Sequence, residues 1–362
     1  MREKHINLKI SDEIKRVHKM SLPQKVIIGE GILGKLSNVY DEISVKKNIV
    51  VITGPHVYKR LKGVFNENWE RNQRVDIIFA GQSTLSEVER LGSIVRKTRG
   101  EIIIALGGGR VIDLSKMVAF KNNLEFISVP TTASHDGIAS SLASIKGGKR
   151  VYSYMAKPPK AIIVDVDIIC KAPKRLISSG VGDALAKITA VRDWKLSHEK
   201  TGEYFGEYAA HLALMGAKLV MKKAKGIGSG DKESIRTLIE ALISDGVAAG
   251  IAGSSRPCSG SEHLFSHALD IYSTEHAMHG EQCGVGTIMM AYLHGLNYDR
   301  IKKALKDAKA PVNAYELGIS PKNVIKALKM AKTVRPERYT ILNEVKLDER
   351  RAYEIASQTH VI

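Results

Sequence analysis

EIIIALGGGRVIDLSK, residues 101–116, decides how the first half of the chain folds. Ile102 to Leu106 form a short β-branched run that passes through Gly107-Gly108-Gly109 straight into a helical pattern. Such a strand–turn–helix connection belongs to a parallel sheet, and its glycines let backbone N–H groups approach a phosphate at the positive end of the helix. The spacing is not GxGxxG and has no Gly-Lys-Ser/Thr, so the turn alone reads equally well as a tight connection. Its surroundings add weight. KVIIGEG (25–31), NIVVITG (48–54), RVDIIFAG (74–81), LEFISVP (124–130) and AIIVDV (161–166) are further short Ile/Val-rich runs. Between two of them, STLSEVERLGSIVRKTRG (83–100) has helical spacing, cap-like Ser and Thr at its start and Gly at its end. Strands alternating with helices predict a parallel sheet covered on both faces, with ligands at the carboxyl ends of its strands. ASSLASI, Lys146-Gly147-Gly148 and KRVYSYM read as a hairpin.

After AIIVDV the texture changes. GDALAKITAVRDWKL, YAAHLALMGAKLVMKKA, KESIRTLIEALISDGVAAGIA and CGVGTIMMAYLHGL carry Ala and Leu at helical spacing. The expected organisation is α/β plus all-α: a Rossmann-like, parallel-sheet, dinucleotide-binding domain over 1–177 and a helical domain over 178–362.

The 362 residues are 44% hydrophobic, 26% charged and 6% aromatic. That balance excludes a disordered, collagenous or coiled-coil chain. Cys170, Cys258 and Cys283 are too scattered for a disulfide framework or a CxxC knuckle, which favours a reducing compartment. No apolar run is long enough for a membrane span, and MREKHINLKISDEIKR is too charged for a signal peptide, so a cytoplasmic location is expected. Lys and Arg number 55 against 38 Asp and Glu, a formal charge of +17. A positive field of this size draws anions: nucleic acid, acidic membrane surfaces or phosphorylated small molecules. The basic runs lie at helical spacing, as solvated faces do, and no aromatic platform or nucleic-acid motif accompanies them. No nucleic-acid partner is expected. The polar helices of the second half are compatible with a homo-oligomer, although no stretch marks an interface.

Three segments carry candidate chemistry. Thr131, Thr132, Ala133, Ser134, His135, Asp136 and Gly137 follow a strand end, in a turn that falls at the same sheet edge as the glycine turn. Asp183 stands at an apparent helix start, where a simple cap is the plainer reading. His263 and His267 are four apart on one helical face, and His276 and His279 are three apart. One carboxylate with two or three imidazoles suits a divalent ion of borderline softness such as zinc or ferrous iron, and the spacing is not HExxH.

Taken together, GGG-x-x-x-D (107–113), PTTASHDGIASSLASI (130–145), GDALAK (182–187), SEHLFSHALD (261–270) and HGEQCGVG (279–286) resemble the sn-glycerol-1-phosphate dehydrogenases. These are archaeal relatives of glycerol dehydrogenase, dehydroquinate synthase and the iron-dependent alcohol dehydrogenases. The resemblance spans most of the chain, and SHDG is its discriminating piece. It implies a dehydroquinate synthase-like fold with NAD(P)H and one divalent metal, expected to be zinc, in the cleft between domains. The implied reaction is reduction of dihydroxyacetone phosphate to sn-glycerol 1-phosphate for archaeal membrane phospholipids. Carried over by position, Asp183, His263 and His279 match the metal ligands. Gly107, Gly108, Gly109, Arg110, Val111, Ile112, Asp113, Thr131, Thr132, Ala133, Ser134 and Ser140 match cofactor positions. Asp136, Asp183 and His267 match substrate contacts, with Asp136 and His267 as the catalytic pair and His267 as proton relay. Lys187 stands where iron alcohol dehydrogenases have a further histidine ligand, which implies three protein ligands and an open position. After NIVVIT come Gly54-Pro55, then Lys59 and Arg60, with no acid to repel a 2′-phosphate, so NADPH is expected to serve alongside NADH. Glycerol dehydrogenase and dehydroquinate synthase are the same-fold alternatives, and a basic nucleic-acid-binding protein is the distant one.

Overall fold

Uninterrupted runs of Ile and Val suit strands covered on both faces, because no side of such a strand can be left to water. In the structure, a computed structural model describing residues 18, 20–35, 48–69, 75–147 and 150–362, six such runs form one parallel sheet. The strands are β1 (Lys25–Gly29), β2 (Ile49–Thr53), β3 (Val75–Phe79), β4 (Ile102–Gly107), β5 (Glu125–Pro130), β6 (Leu142–Gly147), β7 (Arg150–Met155) and β8 (Ala161–Asp165). Their order in the sheet is β1-β8-β5-β4-β2-β3, while β6 and β7 pair antiparallel as the expected hairpin. Gly148 of its turn and the charged stretch 1–16 lie outside the described residues.

The register sorts side chains between the two faces. Val51 stands opposite Ile104 and Ile104 opposite Ile127, and all three pack on one face against Val57 and Leu61 of α1 (Pro55–Trp69). Val50, Ile103, Phe126 and Ile162 point to the other face. There they meet α2 (Leu85–Lys97), which Thr84 caps through Oγ1, and α3 (Gly109–Lys121). β2 leads outward to β3 and β4 leads the other way to β5, so the carboxyl ends of β2 and β4 flank a switch in direction where such sheets open a crevice.

Beyond β8 the described chain is helical: α4 (Val166–Cys170), α5 (Lys174–Thr201), α6 (Glu207–Ser229), α7 (Lys232–Ala252), α8 (Ser261–Tyr272), α9 (His279–Leu293), α10 (Tyr298–Asp307), α11 (Ala314–Leu317), α12 (Pro321–Val334) and α13 (Glu349–Gln358). No described helix is long and apolar enough to cross a membrane. The inner-face core runs from the sheet into these helices without a break, joining Val164 and Ile177 to Phe265, Ile288 and Leu328.

Asp183 corrects one expectation. It lies well inside the 28-residue α5 rather than at a helix start. Gly180 and Gly182, which read as helix breakers, sit in the helix because neighbouring backbone comes too close for any side chain. A Cβ on Gly182 would lie 2.0 Å from the Gly280 carbonyl oxygen, and one on Gly280 would lie 2.0 Å from that of Ser179. α5 and α9 therefore touch backbone to backbone. Gly182→Ala is expected to cost about 1–3 kcal/mol through forced separation of the two helices. Urea unfolding should give a lower midpoint at unchanged slope, and an unchanged midpoint would refute the contact.

Candidate active site

The glycine turn opens α3 with Gly108 as its N-cap, a residue with no side chain to occupy the first-turn N–H groups. Gly108, Gly109, Arg110 and Val111 line a cleft of about 1260 Å³, along with Gly54, Pro55, His56 and Arg60 after β2 and Thr131, Thr132 and Ser134 after β5. Free backbone donors, a helix N-terminus and an adjacent guanidinium suit a dinucleotide's phosphates. A second cavity, of about 220 Å³, is lined by Asp136, Ser140, Asp183, Ser255, Ser259, His263 and His267 among others. His135 and His279 line both spaces, so the two meet there.

At this junction Asp183 from α5, His263 from α8 and His279 from α9 come together. One donor atom from each, with Cys283 Sγ, falls within 4.8 Å of the others. Each imidazole is held from behind. The Glu262 carboxylate accepts from His263 Nδ1 at 2.8 Å, and itself accepts from Thr189 Oγ1 at 2.6 Å and Gly260 N at 2.6 Å. That bond makes Nδ1 the donor and turns Nε2 toward Asp183 Oδ1, 3.6 Å away. Ser266 gives its proton to Gln282 Oε1 at 2.6 Å, so at 3.2 Å it accepts from His279 Nδ1. Two imidazoles held through Nδ1, with their Nε2 atoms beside a carboxylate, are the donor set of a divalent cation, and these residues fit one.

Lys187 explains how the carboxylates stay ionised without solvent. Its fully buried Nζ lies 2.9 Å from Asp136 Oδ2 and 3.0 Å from Asp183 Oδ2. Burial works against the ammonium, but Asp136 and Asp183 outweigh it and hold the Lys187 pKa well above its usual value. Burial likewise opposes the Asp183 carboxylate, yet Lys187 and His263 keep its pKa well below the usual carboxylate range. Asp183 Oδ2 also accepts from Asp136 N at 3.0 Å, tying the loop after β5 to α5. Lys116, buried in α3, donates to Gly137 O at 2.9 Å and clamps the other side of that loop.

Not every residue matched by position reaches the cleft. Ile112 and Ala133 are fully buried in the core, since their side chains lie on the packed sides of α3 and of the loop after β5. Gly107 is the last residue of β4, where its space is filled by Val111, and it does not line the cleft. Asp113 and Ser140 line the smaller cavity instead. The Asp113 carboxylate accepts from Ser144 N at 3.2 Å and pairs with Lys116 at 3.4 Å, a bracing role between α3 and β6. His276 is exposed and outside the cluster.

His267 lines the small cavity with a buried Nδ1 that has no hydrogen-bond partner. Burial, with the positive fields of His279, Arg335, His263 and Arg338, holds its pKa well below that of an ordinary histidine, so it is neutral at pH 7. Sequence reasoning passed over Glu262, although an acid beside a ligand-type histidine was a signal. It named His135 in the candidate turn without giving it a role; its ring fills the space a Cβ on Gly109 would need, 1.7 Å from Nε2. Cys283 stood one helical turn beyond His279, 3.6 Å from its Nε2, but counting cysteines for pairing hid it.

Comparison with known proteins places the chain in a family. Residues 27–173 match the family model described as iron-containing alcohol dehydrogenase. Glycerol-1-phosphate dehydrogenase (NAD(P)+) of Pyrococcus horikoshii is 49% identical over 347 residues, covering 96% of this chain and 100% of that protein. The protein of the same name from Saccharolobus islandicus is 46% identical over 345 residues, covering 95% and 98%. The crystal structure of glycerol dehydrogenase from Schizosaccharomyces pombe shares the fold, with a TM-score of 0.78 at 22% identity over 95% of this chain and 90% of that one. The architecture is dehydroquinate synthase-like, a parallel-sheet Rossmann-like part followed by helices.

Replacing Glu262 by Gln should weaken zinc binding about 10-fold, as loss of a carboxylate behind a ligand histidine does. Competition against a chromogenic chelator reads this directly, with far-ultraviolet circular dichroism confirming the fold. Undiminished affinity in a folded variant would show that Glu262 does not orient His263.

Proposed function

Because this chain belongs to the glycerol-1-phosphate dehydrogenase family, we propose that it reduces dihydroxyacetone phosphate to sn-glycerol 1-phosphate with NAD(P)H, the step that commits a triose to archaeal membrane lipid. It is an NAD(P)-dependent oxidoreductase. The observation that carries the reading is the meeting of the nucleotide-sized cleft and the small cavity at His135 and His279, beside Asp183 and His263. A ketone held in the small cavity is then within reach of a nicotinamide in the cleft, which is the proximity hydride transfer requires. Glycerol dehydrogenase and dehydroquinate synthase share the fold, but relatives 46% and 49% identical over nearly all of this chain carry the phosphate ester in their names.

In this reading Asp183, His263 and His279 hold a divalent cation, and zinc fits one oxygen and two nitrogen donors. When bound, that ion supplies Lewis-acid polarisation of the ketone. Lys187 donates to Asp183 Oδ2 and so leaves Oδ1 as the donor atom. Asp136, fixed through Lys187, offers its other oxygen to a substrate hydroxyl. A bound nicotinamide would supply the hydride to C2, and as the C=O π bond opens the oxygen would take up one proton. His267, neutral and lining the cavity, is the group we assign to relay that proton. Gly108, Gly109, Arg110 and Val111, with Thr131, Thr132 and Ser134, bind the cofactor, and Arg60 at the cleft wall favours a 2′-phosphate.

Purified protein loaded with zinc should oxidise NADPH on dihydroxyacetone phosphate and yield the sn-1 ester. A strong chelator should abolish the rate and added zinc should restore it. Absence of turnover in the metal-loaded enzyme, or the sn-3 product, would refute the proposal. Arg60→Ala should raise KM for NADPH about 10-fold, the order of one charge-assisted contact, with NADH nearly unaffected. Equal loss with both cofactors would remove Arg60 from 2′-phosphate recognition.

A further inference from the structure

We infer that Cys283 is a fourth protein ligand of the cation held by Asp183, His263 and His279, a thiolate sulfur that meets the ion from the packed side of the site. The inference deepens the reading of those three residues as a cation site and rests on it. It departs from the three-ligand set that the resemblance implied.

Cys283 lies four residues after His279 in α9, so the two side chains share one face of that helix. With Asp183 from α5 and His263 from α8, they bring four donor atoms within 4.8 Å of one another. Two of the distances between donors can be set against a tetrahedral zinc centre. Zinc–sulfur and zinc–nitrogen bonds of about 2.3 and 2.0–2.1 Å hold sulfur and nitrogen about 3.6 Å apart at the tetrahedral angle. Cys283 Sγ lies 3.6 Å from His279 Nε2. Nitrogen and oxygen donors stand about 3.3–3.4 Å apart in the same geometry. His263 Nε2 lies 3.6 Å from Asp183 Oδ1. The sulfur is thus spaced from its neighbour as a fourth ligand is.

Its surroundings set it apart from the other thiols. Cys258, also buried, donates to the Asp245 carbonyl at 3.0 Å and is engaged with backbone. Cys170 ends α4 and is outside the cluster. Cys283, fully buried, faces imidazole nitrogen instead, with His279 Nε2 nearer than Nδ1. It lines neither the cleft nor the small cavity, whereas Asp183, His263 and His279 all line the cavity. The sulfur therefore approaches from the protein side and leaves the cavity side to a substrate oxygen. That oxygen would enter as a fifth donor, a number zinc accepts in catalytic sites. On loading, the thiol proton passes to the medium and sulfur keeps the bonding pair. A soft donor also tilts the site toward zinc and away from magnesium or manganese.

The test is spectroscopic and needs no substrate. Wild type, Cys283→Ser, Cys283→Ala and Cys258→Ser are loaded with cobalt(II), and circular dichroism confirms each fold. Wild type and Cys258→Ser should show an intense near-ultraviolet sulfur-to-cobalt charge-transfer band. Both Cys283 variants should lose that band while keeping the visible absorption of bound cobalt. X-ray absorption of zinc-loaded wild type should show one sulfur at about 2.3 Å, a result that depends on no variant folding. Bound cobalt without the band, a band that survives in folded Cys283→Ser, or zinc with only nitrogen and oxygen neighbours would overturn the assignment and leave the three-ligand site standing. Wild type that binds neither metal would overturn the cation site itself, and Cys283 with it.

Discussion

Backbone contact between α5 and α9 at Gly182 and Gly280 is the constraint on which the site depends. Asp183 follows one of these glycines and His279 precedes the other, so the distance between carboxylate and imidazole is set by how closely two helices can approach. Any Cβ at either position would drive the backbones apart and open the donor cluster. α5 also carries Lys187 and Thr189, which hold Asp183 ionised and, through Glu262, aim His263 on α8. One helix thus fixes the acid, its counter-charge and the orientation of an imidazole on its neighbour. Such preorganisation is what a site with little room for adjustment needs.

The charges of this cluster are paired within the protein. Asp136 and Asp183 share the Lys187 ammonium, and Glu262 pairs with His263. Asp245 lies nearby in α7, fully buried with neither carboxylate oxygen bonded. Burial pushes its pKa far up, and the fields of Asp136 and Asp183 push the same way against the pull of Lys187. The neutral acid is thereby favoured, which lessens the cost of a buried carboxyl left unbonded among the described residues.

The strands were legible because each is a short β-branched run with punctuation at its end. The described strands start and finish within a residue or two of those runs. The nature of the reaction was legible because several short motifs fell in family order. What sequence could not give was partnership. Periodicity reports that a position is buried but not what it faces, so Asp183 looked like a cap when it lies mid-helix, and Ile112 and Ala133 looked like cofactor positions when they face the core. Lys116 is hidden for the same reason, a buried charge in α3 whose bonds lie 21 and 26 residues further along the chain.

The pairing of two unequal spaces also bears on which substrates this fold can take here. The large cleft, at about 1260 Å³, runs along the ends of β2, β4 and β5, where backbone donors, small hydroxyls and the guanidinia of Arg60 and Arg110 line it. Such a lining suits an anionic ligand such as a dinucleotide. The small cavity, at about 220 Å³, is enclosed by histidines, carboxylates and serines from the loop after β5, from α3, β6 and β7, from α5, α8 and α9, and from the segment that follows α7. Discrimination among substrates falls to this space, where each buried polar group left without a partner penalises the wrong ligand. The Nδ1 of His267, buried and unbonded among the described residues, is one such group.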